Sequence, residues 1–395
     1  MSAASNSPGY RFLLLALLTA GFALNSLDRS LIAVLLVPIG REFNATDTQL
    51  GFLTGFVFAI VYTVAGVPTA AWADRGKHRI VLGIGMLLWS VMTAACGLAP
   101  AFIWMLLARM GVAAGESVGT PTSHALLSQA WPAARRSTAL ALYGGGAPAG
   151  AALAGILGGY GSAWLGWRGS LLVAAVPGII IALIILFVLR DPVNTDARTQ
   201  AVTLSWRDTL QTLVSNTAYR HLWFGAALHC MSLFGTLSFA TAFMMRIHGW
   251  QIGAAGALVS ALGIAGTFGT LGTGWISDSL VRRFGDARWT LRVSALTALL
   301  AVPLQCVAFL ASNAYWPMVL IPLASMIANG FIGPTYSAAQ SFAPPAARSR
   351  STVVLMLAMT LAGMGTGPLA IGMLSDALHD VAGNDALRYA LLLSP

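Results

Sequence analysis

The sequence is short of charge. Only 9% of its 395 residues are Asp, Glu, Lys or Arg, against about 25% in an ordinary soluble domain. So few charges cannot cover the surface of a water-soluble globule of this length. Disorder is excluded as well, because disordered chains are poor in hydrophobic residues, whereas 57% of this chain is hydrophobic and its mean hydropathy is +0.76. Cysteine is scarce too. Cys96, Cys230 and Cys306 each sit inside an apolar stretch, which excludes a disulfide framework or a thiolate metal cluster. Lysine is nearly missing, Lys77 being the single example among 22 basic residues. A net charge of +9 could point to nucleic acid, but the arginines fall in short clusters between apolar runs. That pattern orients a membrane protein. The composition therefore describes an all-α polytopic membrane protein with no nucleic-acid partner.

A bilayer core of about 30 Å needs roughly 20 apolar residues in helical form. On that measure spans are expected near 11–39, 48–73, 79–98, 101–131, 137–161 and 169–190, and again near 220–247, 252–277, 289–311, 314–342 and 350–375. Residues 386–395 are too short to cross, so the expectation is eleven complete spans and a truncated twelfth. Arg11, the apolar run from Phe12 and the small residues around Ala20 resemble a signal peptide. Apolar character resumes after Arg29 and runs to Ile39, so the first helix is expected to stay uncleaved.

With the N-terminus cytoplasmic, sixteen of the 22 basic residues fall on the inner side, including Arg75, Lys77, Arg79, Arg135, Arg136, Arg282 and Arg283. Arg41, Arg168, Arg246 and Arg388 fall outside, while Arg29 and Arg109 lie within spans. The bias favours that orientation. Residues 191–219 form the one long polar connector. Its Leu204, Leu210 and Leu213 are expected to form one face of a short helix on the cytoplasmic surface. The connector separates a bundle at 1–190 from one at 220–395. Each half carries a similar phrase at its second-to-third helix turn: Ala73 to Arg79, with Asp74 and Arg75, and Gly274 to Arg283, with Asp278 and Arg282. An acidic residue followed by arginines thus recurs 204 residues later, which implies two pseudo-symmetric six-helix bundles.

These phrases, together with Asn25 to Arg29, Gly115-Glu116-Ser117, Gly166-Trp167-Arg168, Gly330 to Tyr336, Gly365 to Pro368 and Ser375-Asp376, give a chain that resembles the major facilitator superfamily. Within it the chain resembles the bacterial spinster-like lipid transporters. Ala70 and Lys77 stand where that superfamily usually has glycine. The resemblance implies the major facilitator fold, secondary active transport by alternating access, and a bacterial inner membrane. It further implies an amphipathic lipid-like anion as cargo, of the lysophospholipid or sphingoid phosphate class. A proton-coupled organic-anion or drug transporter of the same superfamily is the alternative. Partners on this reading are the bilayer, protons and a small-molecule or lipid substrate, with the protein a monomer. By the same resemblance Asp74, Arg75, Arg79, Asp278, Arg282 and Arg283 gate the cytoplasmic side.

Independently of any family, Asp28, Arg29, Arg109 and Glu116 lie deep in apolar helices. A lone charge there costs about 2.5–3.5 kcal/mol even on the mildest scale, so each needs a partner or a wet cavity. Arg109, Glu116, Thr120 and His124 are spaced 7, 4 and 4 apart and fall on one helical stripe; Asn25, Asp28 and Arg29 share a face likewise. A structural salt-bridge cluster is the plain interpretation. The functional one has Asp28 and Glu116 exchanging protons while Arg29 and Arg109 bind an anion, since burial raises and a neighbouring arginine lowers a carboxyl pKa. Asp28→Asn or Glu116→Gln is then expected to abolish transport with the fold intact.

The second half is poorer in charge. His229, Ser232 and Thr236 share a face of the seventh span, and Asn329, Tyr336 and Gln340 one of the tenth. They are candidate substrate contacts, though helix-packing hydrogen bonds account for them equally well. The stretch Gly115-Glu116-Ser117-Val118-Gly119, with His124 nearby, matches a hydrolase nucleophile elbow. That elbow needs a strand before it and here it lies in an apolar helix, which leaves a membrane-embedded serine hydrolase as a remote alternative. No nucleotide-binding or metal-ligand pattern occurs, so no enzyme activity, cofactor or metal is expected.

Overall fold

The computed structural model describes residues 8–73, 77–189, 206–286, 288–344 and 347–394. Among them there is no strand. In chain order the helices are α1 (Pro8–Val34), α2 (Leu36–Phe43), α3 (Asp47–Gly51), α4 (Val57–Ala73), α5 (His78–Leu98), α6 (Phe102–Glu116) and α7 (Gly119–Ala130). Then come α8 (Ala133–Gly144), α9 (Gly146–Ile156), α10 (Ser162–Val188), α11 (Trp206–Ser215), α12 (Thr217–Ile247) and α13 (Ile252–Phe284). The last are α14 (Trp289–Leu310), α15 (Tyr315–Ala328), α16 (Ile332–Phe342), α17 (Arg348–Ala358), α18 (Thr366–Ala382) and α19 (Ala386–Leu391). Three π-helical turns, Phe52–Phe56, Leu157–Gly161 and Met359–Gly365, interrupt otherwise continuous rods.

Local chemistry sets several boundaries. Asn44, in the left-handed region at φ 49°, closes α2. Thr46 and Gln49 form a reciprocal capping box at the start of α3, so two of its orphan N–H groups are satisfied. Asn216 caps α12 by accepting from the Tyr219 N–H. Gly166 breaks α10 at φ 67° and ψ 173°, a combination open essentially to glycine alone.

Ten helical stretches among the described residues are long and apolar enough to cross a bilayer. Where the sequence suggests separate spans at 137–161 and 169–190, the helix runs on as Thr138–Val188. That is 51 residues, more than twice the length that one crossing of about 20 residues needs. Gly166 divides it into two legs. The spans expected at 350–375 and beyond likewise join as Arg350–Leu391.

The chain folds as two compact units. One comprises Met1–Ala45, Val57–Ala197 and Gln251–Ser260; the other comprises Thr46–Phe56, Arg198–Trp250 and Ala261–Pro395. In the first, α1 packs along α9, and α5 packs between α10 and α6. A Cβ on Gly150 of α9 would run into the Ala23 carbonyl of α1, so the two backbones meet directly, as small residues permit in membranes. In the second, α12 packs along α18 and the π turn before it, and α14 along α15. A cavity of about 580 Å³ opens beside α12, α14 and α16, lined by Leu222, Ala226, His229, Ser294 and Phe331 among others.

The connector helix differs from expectation. Thr209 and Leu213 are buried, whereas Leu210 is exposed, because residues four apart share a face and Leu210 lies one position off it. Arg350 donates to the Thr209 hydroxyl at 3.2 Å, so α11 leans on α17 and α12. Leu204 lies outside the described residues.

Candidate functional site

Helices α1, α4, α5 and α6 of the first unit converge on a buried charge cluster. Asp28 and Arg29 are consecutive on α1, so their side chains diverge by about 100°. Asp28 is 4% exposed. One of its carboxylate oxygens receives the Arg109 guanidinium and the other the Thr93 hydroxyl, the latter at 2.6 Å. Arg29 Nε donates to Glu116 Oε2 at 2.6 Å. The four ionisable groups thus form two ion pairs between α1 and α6.

The pairs are not equivalent. Both members of Asp28–Arg109 are almost wholly enclosed, with side-chain exposures of 5% and 2%. In the second pair Glu116 is fully enclosed while a third of the Arg29 side chain is exposed. Phe58 of α4 lies between the cations, its ring 4.9 Å from the Arg29 guanidinium and 4.8 Å from that of Arg109. Tyr62, one turn on, has its ring 5.1 Å from the Arg29 guanidinium. Two polar atoms have no partner among the described residues: Glu116 Oε1 and Arg109 Nε. Buried polar atoms are normally satisfied, so these two mark where the cluster is incomplete.

The stripe read from α6 into α7 is only partly realised. A turn at Ser117 and Val118 separates Glu116 from Gly119. Beyond it Thr120 and Ser123 lie near Tyr143 of α8. Asn25, Trp89, Thr120, Ser123 and Tyr143 surround a void of about 10 Å³, close to the room one water needs. His124 sits edge-on to Tyr143 at 5.4 Å and is exposed. The hydrolase pattern is not assembled: no strand precedes it, and the Ser117 hydroxyl donates to the Ala114 carbonyl at 2.8 Å.

Within the second unit the candidate residues make helix-packing bonds. His229 Nε2 lies 2.9 Å from the Ala328 carbonyl, its ring 4.2 Å from Phe331. The Asn329 amide donates back to Ser325 at 2.8 Å, and Gln340 reaches the Thr352 hydroxyl at 3.3 Å. Tyr336 is half-buried beside the Tyr219–Phe331 core. The Thr236 hydroxyl is buried and unpartnered. Of the gating candidates, Asp74 and Arg75 lie outside the described residues. Arg79 donates to the Leu189 carbonyl at 3.1 Å. Asp278 is exposed on α13, Arg282 reaches Ser279 at 3.2 Å, and Arg283 stacks on Phe284 at 5.7 Å.

Phe58, Tyr62, Thr93 and Tyr143 are absent from the sequence-based set. Phe58 and Tyr62 are four apart and so share a face, but an aromatic pair in an apolar helix signals core as readily as site.

Outside the spans, Glu42 binds Arg168 at 2.7 Å and the Trp167 indole at 2.6 Å. The Arg168 hydrogen bond, with the indole, holds the Glu42 carboxyl below its usual range. A lowered folded-state pKa stabilises above the unfolded value of about 4.3 and is lost as pH falls through the folded value. Glu42→Gln should therefore lower the unfolding free energy at neutral pH by under about 1 kcal/mol for so exposed a pair, read as a slightly lower Tm. The two melting curves should coincide once the parent's Glu42 is protonated; a gap that persists in acid would remove the charge from the explanation.

A family model described as Major Facilitator Superfamily matches residues 18–377. An MFS-type efflux pump of Mycolicibacterium smegmatis is 30% identical over 374 residues, covering 94% of this chain and 86% of its own. The D-galactonate transporter of Escherichia coli is 25% identical over 418 residues, covering 97% and 95%. Among solved structures, a bacterial homolog to the human lysosomal transporter Spinster, inward-facing and unoccupied, superposes with a TM-score of 0.85 at 28% identity. That match covers 98% of this chain and 93% of that one. With an all-helical, membrane-crossing chain matched over nearly its whole length, the protein belongs to the Major Facilitator Superfamily and is an integral membrane transporter.

Proposed function

We propose that the protein is a proton-coupled secondary transporter that works by alternating access on an amphipathic organic anion, of the lysophospholipid or sphingoid phosphate class. The observation that carries this is the Arg29–Glu116 pair: a fully enclosed carboxylate with one oxygen unpaired, joined to an arginine whose side chain is one-third exposed. An anionic head group can take Arg29 only by competing with Glu116, and a proton on Glu116 removes the competitor. Arginine suits a phosphate or carboxylate because its planar fork offers two parallel donors. The Phe58 and Tyr62 rings flanking Arg29 provide apolar surface for the carbon body next to the charge. The Asp28–Arg109 pair, enclosed on both sides, anchors α1 to α6 and keeps Arg29 aimed.

A smaller and more hydrophilic anion is the second reading. The galactonate transporter supports it by nearly full-length similarity. Proteoliposomes loaded with a pH gradient separate the two. Labelled lysophospholipid or sphingoid phosphate moving with the gradient, and unaffected by excess galactonate, supports the first reading. Movement of galactonate alone would retire it in favour of a sugar-acid carrier. Movement of the lipid without any response to the gradient would remove proton coupling.

A further inference from the structure

Phe58 lies in the charge cluster without carrying charge. It is 1% exposed, on a helix, α4, that holds no Asp, Glu, Lys or Arg. Burial alone would make it an ordinary core side chain, but its neighbours are not those of a core. The Arg29 guanidinium stands 4.9 Å from the ring centroid and the Arg109 guanidinium 4.8 Å. Two centres that share one ring at those distances are less than about 10 Å apart, where like charges away from water repel far more strongly than in it.

Each arginine has a carboxylate of its own, Glu116 for Arg29 and Asp28 for Arg109. These cancel much of the repulsion but leave a donor over. Arg109 Nε is buried with no hydrogen-bond partner among the described residues. An aromatic face can accept such an N–H, and the ring quadrupole draws cations to the same face. An aliphatic side chain of equal bulk would fill the space and supply neither. Two further observations concern the ring. Tyr62 stacks on Phe58 at 5.9 Å and 20°, so Arg29 rests on a pair of rings. The π-helical turn Phe52–Phe56 ends two residues before Phe58, and such turns are uncommon and concentrate at functional sites.

We propose that Phe58 is a positioning residue whose ring seats both guanidinium groups, holding Arg29 against Glu116 and Arg109 against Asp28. The two ion pairs are thereby joined through one neutral side chain. Arg109, enclosed with Asp28, fixes the ring from one helix; the ring in turn brings Arg29 back to Glu116 once the arginine has released an anion. That last consequence rests on the role proposed above for Arg29, whereas the seating does not.

The test uses the purified protein in detergent with no substrate, so its failure leaves the transport reading untouched. Phenylalanines bearing one, two and three fluorines are installed at residue 58 by stop-codon suppression. Fluorine drains the negative face of the ring and hardly changes its size. Two quantities are followed: the rate at which phenylglyoxal modifies Arg29, read by mass spectrometry of its peptide, and the Tm. Modification of Arg29 should quicken with each fluorine, to roughly fivefold at three, and the Tm should fall in the same order. Cyclohexylalanine, which keeps the bulk and has no π face, should do at least as much as three fluorines. If the cyclohexylalanine protein fails to reach the membrane, the fluorine series decides alone. Both quantities flat across that series would mean packing only and overturn the proposal. A response at Arg29 with the Tm unmoved would remove the seat for Arg109, and with it the sharing.

Discussion

Glu116→Gln folds, binds substrate and no longer accumulates it against a gradient. The amide keeps an oxygen for the Arg29 N–H that now sits 2.6 Å from Glu116 but cannot gain or lose a proton. Removing the charge weakens one hydrogen bond to a charged group, at about 1.5–3 kcal/mol. Arg29 loses its counterion, yet a third of its side chain is exposed and its guanidinium keeps the faces of Phe58 and Tyr62, so the fold is expected to survive. Function is affected far more, because proton-controlled competition for Arg29 is the proposed coupling step. Counterflow exchange in proteoliposomes should persist while pH-driven accumulation disappears. Accumulation at the parent's rate and pH dependence would show that Glu116 is structural.

The Asp28–Arg109 pair gives the largest expected loss of stability. Asp28→Asn leaves a guanidinium buried at 2% exposure with no counterion, and Arg109→Ala leaves a carboxylate with Thr93 as its remaining partner. Breaking a buried pair from one side costs about 3–5 kcal/mol, since the survivor's charge is uncompensated. Arg109→Ala also deletes the group stacked on Phe58 at 4.8 Å. The double variant Asp28→Asn with Arg109→Gln has no stranded charge and should recover much of the loss, giving a strongly non-additive cycle. Thermal unfolding in detergent measures it. Additive single effects would mean that the two charges do not support each other. This revises the sequence expectation that Asp28→Asn spares the fold, for a reason visible only in the pair's enclosure.

Much of the site was legible because charge in an apolar helix is conspicuous. Asp28, Arg29, Arg109 and Glu116 stand out by the cost of burying them, and cost implies pairing. Which carboxylate meets which arginine is not in the spacing. It depends on how α1 is rotated against α6, and that rotation is set by Gly150 meeting the Ala23 carbonyl and by α5 packing on α6. Tyr62 and Phe58 were illegible for a related reason: an i, i+4 aromatic pair defines a face but not the neighbour it meets. In the tenth span the polar spacing was real, yet Asn329 turns back onto Ser325, because a polar side chain in an apolar setting takes the nearest acceptor.

By itself the sequence determined the solvent and the elements. Little charge over 395 residues and repeated runs of about 20 apolar residues leave helices in a membrane as the available structure, since backbone polar groups must be satisfied within each segment. The recurring acidic-then-arginine turn suggested a two-fold repeat. The tertiary structure alone decided the pairings: Asp28 with Arg109, Glu116 with Arg29, and Asp47 with Arg246, Ser375 and Asp376. Periodicity describes one helix about its own axis. Partners across helices depend on their mutual rotation and depth, which close glycine contacts set and no single segment encodes.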